Sequence, residues 1–180
     1  MTVPAVTFRS ARADDALCLG VLSTQVFLDT YAKLGIRPAI AREALAQHSV
    51  ASYEALLADS AKTILVAECA GHMIALSVSE NGVAHDTLRA AAPAKLDHLY
   101  VQEPFAGRGV GRDLLRHAEK AAAASGADMV WLTAWVGNAR ALQFYPRCGY
   151  EDLGETMYTF EGESHPNRLF AKRVRHVAPA

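Results

Sequence analysis

From Val6 onward the chain switches between two hydrophobic rhythms, one of period two and one near 3.6, and the switches mark out its elements. VTFRSA, starting at Val6, reads as a short first strand. Asp14 is placed to cap a helix in which Cys18, Leu22 and Val26 recur near the helical period, with Val21 and Leu28 offset, until Gly35 and Pro38 end it. AIAREALAQH and SYEALLADS predict a second helical region, broken between His48 and Ser52. TILVAEC and MIALSVSE, separated by Ala70 and Gly71, predict a hairpin. RAAAPAK, residues 89–95, reads as a mobile alanine-rich connection. KLDHLYV then gives a strand, and the glycine-rich stretch after it leads into a helix ending near Gly126. MVWLTAWV is a strand, NARALQFYPRC a short helix closed by Gly149, and MYTFEG and RLFAKRV two final strands. Strand, glycine loop, helix and strand in that order form a crossover unit, so the expected fold class is α/β.

Composition narrows the function classes. A chain of 180 residues with 51% hydrophobic residues can bury one substantial core, and a single domain over residues 1–180 is expected. A formal charge of -1 gives no field for general binding to nucleic acid or a membrane surface. Anion recognition must therefore come from a local cluster, and the expected partner is a small molecule. Cys18, Cys69 and Cys148 are odd in number and form no C-x-x-C, against both a disulfide framework and a structural zinc site. With no apolar signal core in MTVPAVTFRS and no long apolar run, the expected location is the cytoplasm.

The local cluster is FAGRGVGRDLLRHAEKA, which starts at Phe105. Val110, Leu114, Ala118, Ala121 and Ala122 share one helical face, leaving the first turn to solvent or ligand. Unpaired N–H groups and the positive dipole end make such a turn an anion site. Gly107, Gly109 and Gly111 let backbone approach a phosphate closely, and Arg108 and Arg112 add charge. A cation in a first helical turn is disfavoured by a few tenths of a kcal/mol to about 1 kcal/mol, a sign that a bound anion reverses. The stretch is neither the G-x-G-x-x-G dinucleotide loop nor a P-loop ending in G-K-[ST], since Arg112 and Asp113 follow the last glycine. Taken alone, it leaves an anion site and a plain strand-to-helix turn equally open.

Two longer stretches carry a resemblance. LDHLYVQEPFAGRGVGRDLL resembles the central strand and the pyrophosphate loop, Q/R-x-x-G-x-G/A, of the GCN5-related N-acetyltransferase superfamily. WLTAWVGNARALQFYPRCGYEDLG is similar to the strand and helix that follow, with Asn138, Ala141, Phe144, Tyr145, Gly149 and Tyr150 at the characteristic positions. The resemblance covers residues 7–174, and VFLDTYAKL with the tail from Gly149 is most similar to the PaiA-type polyamine acetyltransferase branch. It implies a mixed, mostly antiparallel sheet with a splayed central strand pair, flanked by helices. Two positions depart from the pattern. Ala106 stands where the loop usually has Gln or Arg, shifting phosphate binding onto residues 107–112; Pro146 predicts a kink or a tightened turn at Tyr145.

What the resemblance implies chemically is direct transfer of the acetyl group of acetyl-CoA to a primary amine, with a small molecule such as a polyamine as the leading acceptor and a homodimer left open. A catalytically silent acyl-CoA-binding regulator is the alternative. By resemblance the Leu99 N–H faces the thioester oxygen, and Val101 backbone holds the pantetheine along the edge Leu99, Tyr100, Val101. Gly107, Arg108, Gly109, Val110, Gly111 and Arg112 hold the diphosphate; Asn138 lies beside the cofactor arm or merely caps its helix. Tyr145 protonates the departing thiolate, unless it is only a packed aromatic over the sheet.

An alkylammonium, with an ordinary pKa near 10.4, must also lose a proton. Asp97 alternates with Leu99 and Val101 on one strand face and is the first candidate base, against a plain surface carboxylate; His98 points to the opposite face. Asp29 and Tyr31 are candidates for the acceptor side. No metal is expected, because neither the pair His85–Asp86 nor His98 has a convincing set of further ligands and the remaining histidines are scattered. Trp131, Trp135 and Cys148 read as packing residues.

Overall fold

The computed structural model describes residues 5–160 and 163–174. Residues 1–4 of the stretch MTVPAVTFRS, and residues 161–162 at the end of the predicted strand MYTFEG, lie outside the described residues. The strands are β1 (Val6–Ser10), β2 (Lys62–Cys69), β3 (His72–Asn81), β4 (Pro93–Val101), β5 (Met129–Trp135), β6 (Glu151–Phe160) and β7 (Glu163–Arg173), ordered β1-β2-β3-β4-β5-β7-β6 in one mixed sheet. The helices are α1 (Ala16–Tyr31), α2 (Pro38–Gln47), α3 (Val50–Ala58), α4 (Val110–Ala124) and α5 (Ala139–Arg147). Two compact units are distinguished: the chain up to Ser79 with Asp97–Ala118, and Glu80–Leu96 with the chain from Glu119 on.

In the first unit β1 runs antiparallel to β2, from Val6 opposite Cys69 to Ser10 opposite Leu65. Ala70 and Gly71 both have positive φ, 51° and 78°, the two-residue turn whose twist matches a hairpin. The core joins Ala16, Leu19 and Leu22 of α1, and Tyr53 of α3, to Ile64, Val66, Leu76 and Val78 of the sheet, with Tyr100 packed at its margin. Three sequence expectations about α1 need correction. Asp14 makes no cap: a 3-10 turn over Ala13–Asp15 precedes α1, and Asp15 instead accepts from the Arg12 N–H and pairs with Arg9. The predicted face is right only in part: Leu22 is buried and Val26 packs against the core, but Cys18 and Val21 are exposed while Leu19 is fully buried. Complete burial of a leucine is worth about 1.5–3 kcal/mol, and Gly20 and Ser23, which also face inward, disguised the stripe. The helix also stops at Tyr31, ahead of Gly35.

In the second unit β4 starts parallel to β5 over three pairs, Pro93–Met129, Ala94–Val130 and Lys95–Trp131, although each strand continues beyond them. β5 is antiparallel to β7, and β6 to β7 with an irregularity between Asp152 and Gly154. β6 begins at Glu151, six residues before the predicted MYTFEG, because its partner β7 continues the ladder. The alanine-rich connection is not a loop throughout. Asp128 accepts 3.1 Å bonds from the Ala91 and Ala92 N–H groups, Pro93 opens β4, and Ala94 is fully buried. Ala91 and Ala92 tie off on a carboxylate whose proton affinity falls as these donors hold it ionised. That tether fixes where β4 starts and hence which of its residues face which way.

Candidate active site

The sequence places five chemistry-bearing residues in the second half of β4, and the alternation holds. Ala94 and Leu96 are buried, Tyr100 packs at the margin of the α1–α3 core, and His98 lies between them on that face. On the other face Asp97 Oδ2 receives a 3.3 Å ion pair from Lys62 Nζ of β2, both side chains being largely enclosed. Leu99 and Val101 are half-buried at the strand end. The N–H of Gln102 then returns to the Ile74 carbonyl at 3.0 Å, and its side chain donates to Gln25 of α1 at 2.9 Å.

After a 3-10 turn over Glu103–Phe105 comes the glycine loop. Gly107 and Gly109 take φ of 73° and 88°, conformations closed to most side chains, and a Cβ on Gly107 would meet open space. The first intrahelical bond of α4 runs from the Asp113 N–H to the Gly109 carbonyl at 3.0 Å. The N–H groups of Val110, Gly111 and Arg112 therefore lie ahead of the ladder with no acceptor inside the helix. Val110 is buried and anchors that turn, whereas Arg108 and Arg112 are exposed. Arg112 Nε stands 3.8 Å from Asp113, whose Oδ1 is engaged at 2.9 Å by Arg116. An exposed cradle of amides with two adjacent cations fits the diphosphate of a coenzyme A-type ligand.

The chain also joins Phe27 and His48, which the sequence did not single out, to Tyr31, His98 and Tyr100. Tyr31 sits 5.0 Å from Phe27, Phe27 4.8 Å from His48, His48 5.4 Å from His98, and His98 4.9 Å from Tyr100 in a stacked pair. His48 caps the end of α2 and is almost fully buried; its Nδ1 lies 2.6 Å from Ser23 Oγ. Burial, then the charge of His98, lowers the His48 pKa to about 4, so its ring is neutral near pH 7. The Tyr53 phenol is pushed up to about 12 by burial, eased by Ser23. Ser23, His48 and His98 are too far apart in sequence for any local pattern to link them. Asp29 is exposed on α1, two residues ahead of Tyr31.

In the second unit Asn138 accepts from the Ala141 N–H at 3.1 Å, so its capping function is real. Pro146 lies inside α5, which runs on to Arg147 before the chain tightens. The Cys148 N–H is shared between the Phe144 and Tyr145 carbonyls, the Gly149 N–H reaches Pro146, and the Tyr150 N–H reaches back to Tyr145. With Gly149 at φ 85° this is a Schellman closure, whose customary apolar contact is the edge-on pair of Tyr145 and Tyr150 at 5.6 Å. Tyr145 is buried among Phe144, Tyr150 and Phe170. Burial, with Glu119 and Tyr145 nearby, drives the Tyr150 phenol far above its ordinary range. Trp131 is buried and donates from Nε1 to the Val83 carbonyl at 2.7 Å, and Cys148 ends α5 with its carbonyl held by Lys172.

Residues 35–150 match the family model described as the Acetyltransferase (GNAT) family. Among solved structures, PaiA N-acetyltransferase from Thermoplasma acidophilum in complex with coenzyme A aligns with a TM-score of 0.72 at 17% identity, covering 94% of this chain and 99% of that one. A GCN5-related N-acetyltransferase from Rhodopseudomonas palustris gives 0.69 at 22% identity, with 96% and 98% covered. The yncA protein from Salmonella typhimurium, solved with its cofactor acetyl-CoA, gives 0.68 at 19%, with 97% of each chain covered. Each of these shares the fold. Among the described residues no helix is long and apolar enough to cross a membrane.

Proposed function

Since the chain belongs to the GNAT acetyltransferase family, we propose from that premise that it transfers the acetyl group of acetyl-CoA to a primary amine of a small molecule, a polyamine being the leading candidate. The observation that carries this reading is the loop from Gly107 to Arg112, where left-handed glycines open onto the unpaired first turn of α4. Acetyl-CoA supplies an activated thioester acetyl group and a thiolate leaving group. Val110, Gly111 and Arg112 amides bind the diphosphate, and Arg108 and Arg112 contribute charge without needing a side chain at Ala106.

Leu99 directs its N–H at the acyl oxygen, where a donor already oriented favours the charge that develops during attack. Val101, with Tyr100 beside it, presents backbone to the pantetheine. Asn138 orients the cofactor arm as well as capping α5. Tyr145 gives its phenolic proton to the leaving sulfur and is re-protonated from solvent. The acceptor ammonium must shed a proton before attack, and β4 offers two groups for it on opposite faces, Asp97 and His98. Asp29 and Tyr31 contribute to acceptor recognition.

The test is release of free coenzyme A from acetyl-CoA across a panel of diamines, polyamines, amino acids and short peptides. Turnover selective for polyamines supports the full reading. Turnover confined to peptides keeps the chemistry and replaces the acceptor. Tight acetyl-CoA binding without turnover on any amine makes the protein a silent binder.

A further inference from the structure

Gly137 is exposed and its φ lies outside the left-handed region, so neither burial nor backbone angle asks for a glycine there. The demand comes from two residues upstream. A Cβ on Gly137 would fall 2.3, 2.4 and 2.6 Å from the Cη2, Cζ2 and Cζ3 carbons of Trp135. The indole therefore fills the space in which a side chain at 137 would stand, an aromatic cover laid on a glycine. Trp131, four residues earlier, is buried in the cluster with Met129, Leu169 and Ala171, whereas Trp135 is half-buried and rests on the backbone of a turn.

That turn joins β5 to α5. The Asn138 N–H donates to the Trp135 carbonyl at 2.9 Å, closing residues 135–138, and the Val136 N–H reaches the Pro166 carbonyl of β7 at 3.1 Å. Upstream, β5 pairs with β7 from Met129 to Trp135, but its pairing with β4 ends at Lys95–Trp131. Leu132–Trp135 is thus laddered along β7 alone, and the indole adds a contact at the turn itself. Downstream, Asn138 Oδ1 accepts from the Ala141 N–H and the Asn138 carbonyl from the Leu142 N–H, both at 3.1 Å. The cap uses the oxygen of the Asn138 amide, so the end it can offer a ligand is Nδ2, a donor.

We propose that Trp135 is a positioning residue for acetyl-CoA: laid over Gly137, its indole holds the turn that aims Asn138 Nδ2 at an amide carbonyl of the pantetheine arm. This rests on the acetyl-transfer reading. The arm's amide carbonyls need donors once they leave water. A donor fixed from both sides, by the ring before it and by the cap after it, gives up little conformational freedom when the ligand arrives.

Calorimetry with acetyl-CoA, together with coenzyme A release using the best amine of the panel, tests it on the whole protein. Gly137→Ala puts a methyl where the ring lies, and Trp135→Ala removes the ring. Each should raise Kd and KM for acetyl-CoA by about tenfold, the worth of one ligand hydrogen bond. KM for the amine should stay as in wild type, a split that general loosening of the fold would not produce. In the Trp135→Ala protein the methyl has nothing to displace, so adding Gly137→Ala should weaken acetyl-CoA no further.

Two milder variants carry the test if the alanine proteins fail to fold. Trp135→Phe keeps a flat ring at the turn and should recover most of the affinity. Asn138→Asp keeps the oxygen of the cap and should hold the melting temperature, yet it lacks the donor and should lose acetyl-CoA affinity as Trp135→Ala does. Losses that add in the double variant, or wild-type affinity in Trp135→Ala or in Asn138→Asp, overturn the proposal and leave acetyl transfer standing. A wild-type protein that gives no heat with acetyl-CoA overturns both.

Discussion

Lys62 Nζ lies 3.3 Å from Asp97 Oδ2, an ion pair that reaches from β2 to β4 across the strand between them. Both side chains are mostly shielded from water, so removing one partner takes this counterion from a charge that water screens poorly. Lys62→Met should cost about 3 kcal/mol by urea unfolding, whereas the double variant with Asp97→Leu should recover most of it. Equal losses in the single and double variants would show that the cost is the lost interaction itself and not an uncompensated charge left behind.

The glycine loop makes a sharper demand. Gly109→Val places a β-branched residue at φ 88° directly before the open turn of α4. We expect acetyl-CoA affinity by calorimetry to fall at least about tenfold, with the circular dichroism spectrum retained. Arg108→Ala with Arg112→Ala should weaken binding several-fold and flatten its salt dependence, since only the charge contribution is lost. Affinity unchanged in both proteins would place the diphosphate elsewhere.

Tyr145 joins a packing role to a proposed proton. Tyr145→Phe keeps the ring among Phe144, Tyr150 and Phe170 and should leave the melting temperature nearly unchanged, yet reduce kcat by about 10²-fold. A rate equal to wild type would assign the proton to another group.

His48 sets a pH limit on folding. Its native pKa is lowered from 6.5 to about 4, so between those values the unfolded chain binds the proton more readily. Stability is therefore complete above pH 6.5 and falls as pH drops toward 4, by roughly 3 kcal/mol in all. His48→Gln should flatten that dependence; a slope between pH 6.5 and 4 that survives the substitution would assign it to other groups.

Gly20→Ala sets two effects against each other. Alanine favours the helix by about 1 kcal/mol, but its Cβ would press on backbone atoms of His48 and Val50 at 3.1 and 3.3 Å. Backbone yields less readily than a side chain, so we expect a net loss of about 1–2 kcal/mol by denaturant melt. A stabilised variant would mean that the α2–α3 turn moves freely.

Local chemistry was legible in the sequence wherever it depends on neighbours along the chain. The two-residue hairpin turn, the glycine loop, the Asn138 cap and the tightened turn after Pro146 are decided by φ, by missing N–H groups and by short-range hydrogen bonds. The alternation of Asp97 and His98 on β4 follows from the strand period alone. Tertiary packing decided what no local period encodes: the phase of α1, in which a leucine outweighs a cysteine only once a sheet lies beneath it, and the tether of Ala91 and Ala92 by Asp128. It also brought Ser23, His48 and His98 from three distant segments into one cluster. A side chain's pKa and partners depend on the solvent and charges within a few ångströms, and for these residues that neighbourhood exists only in the folded chain.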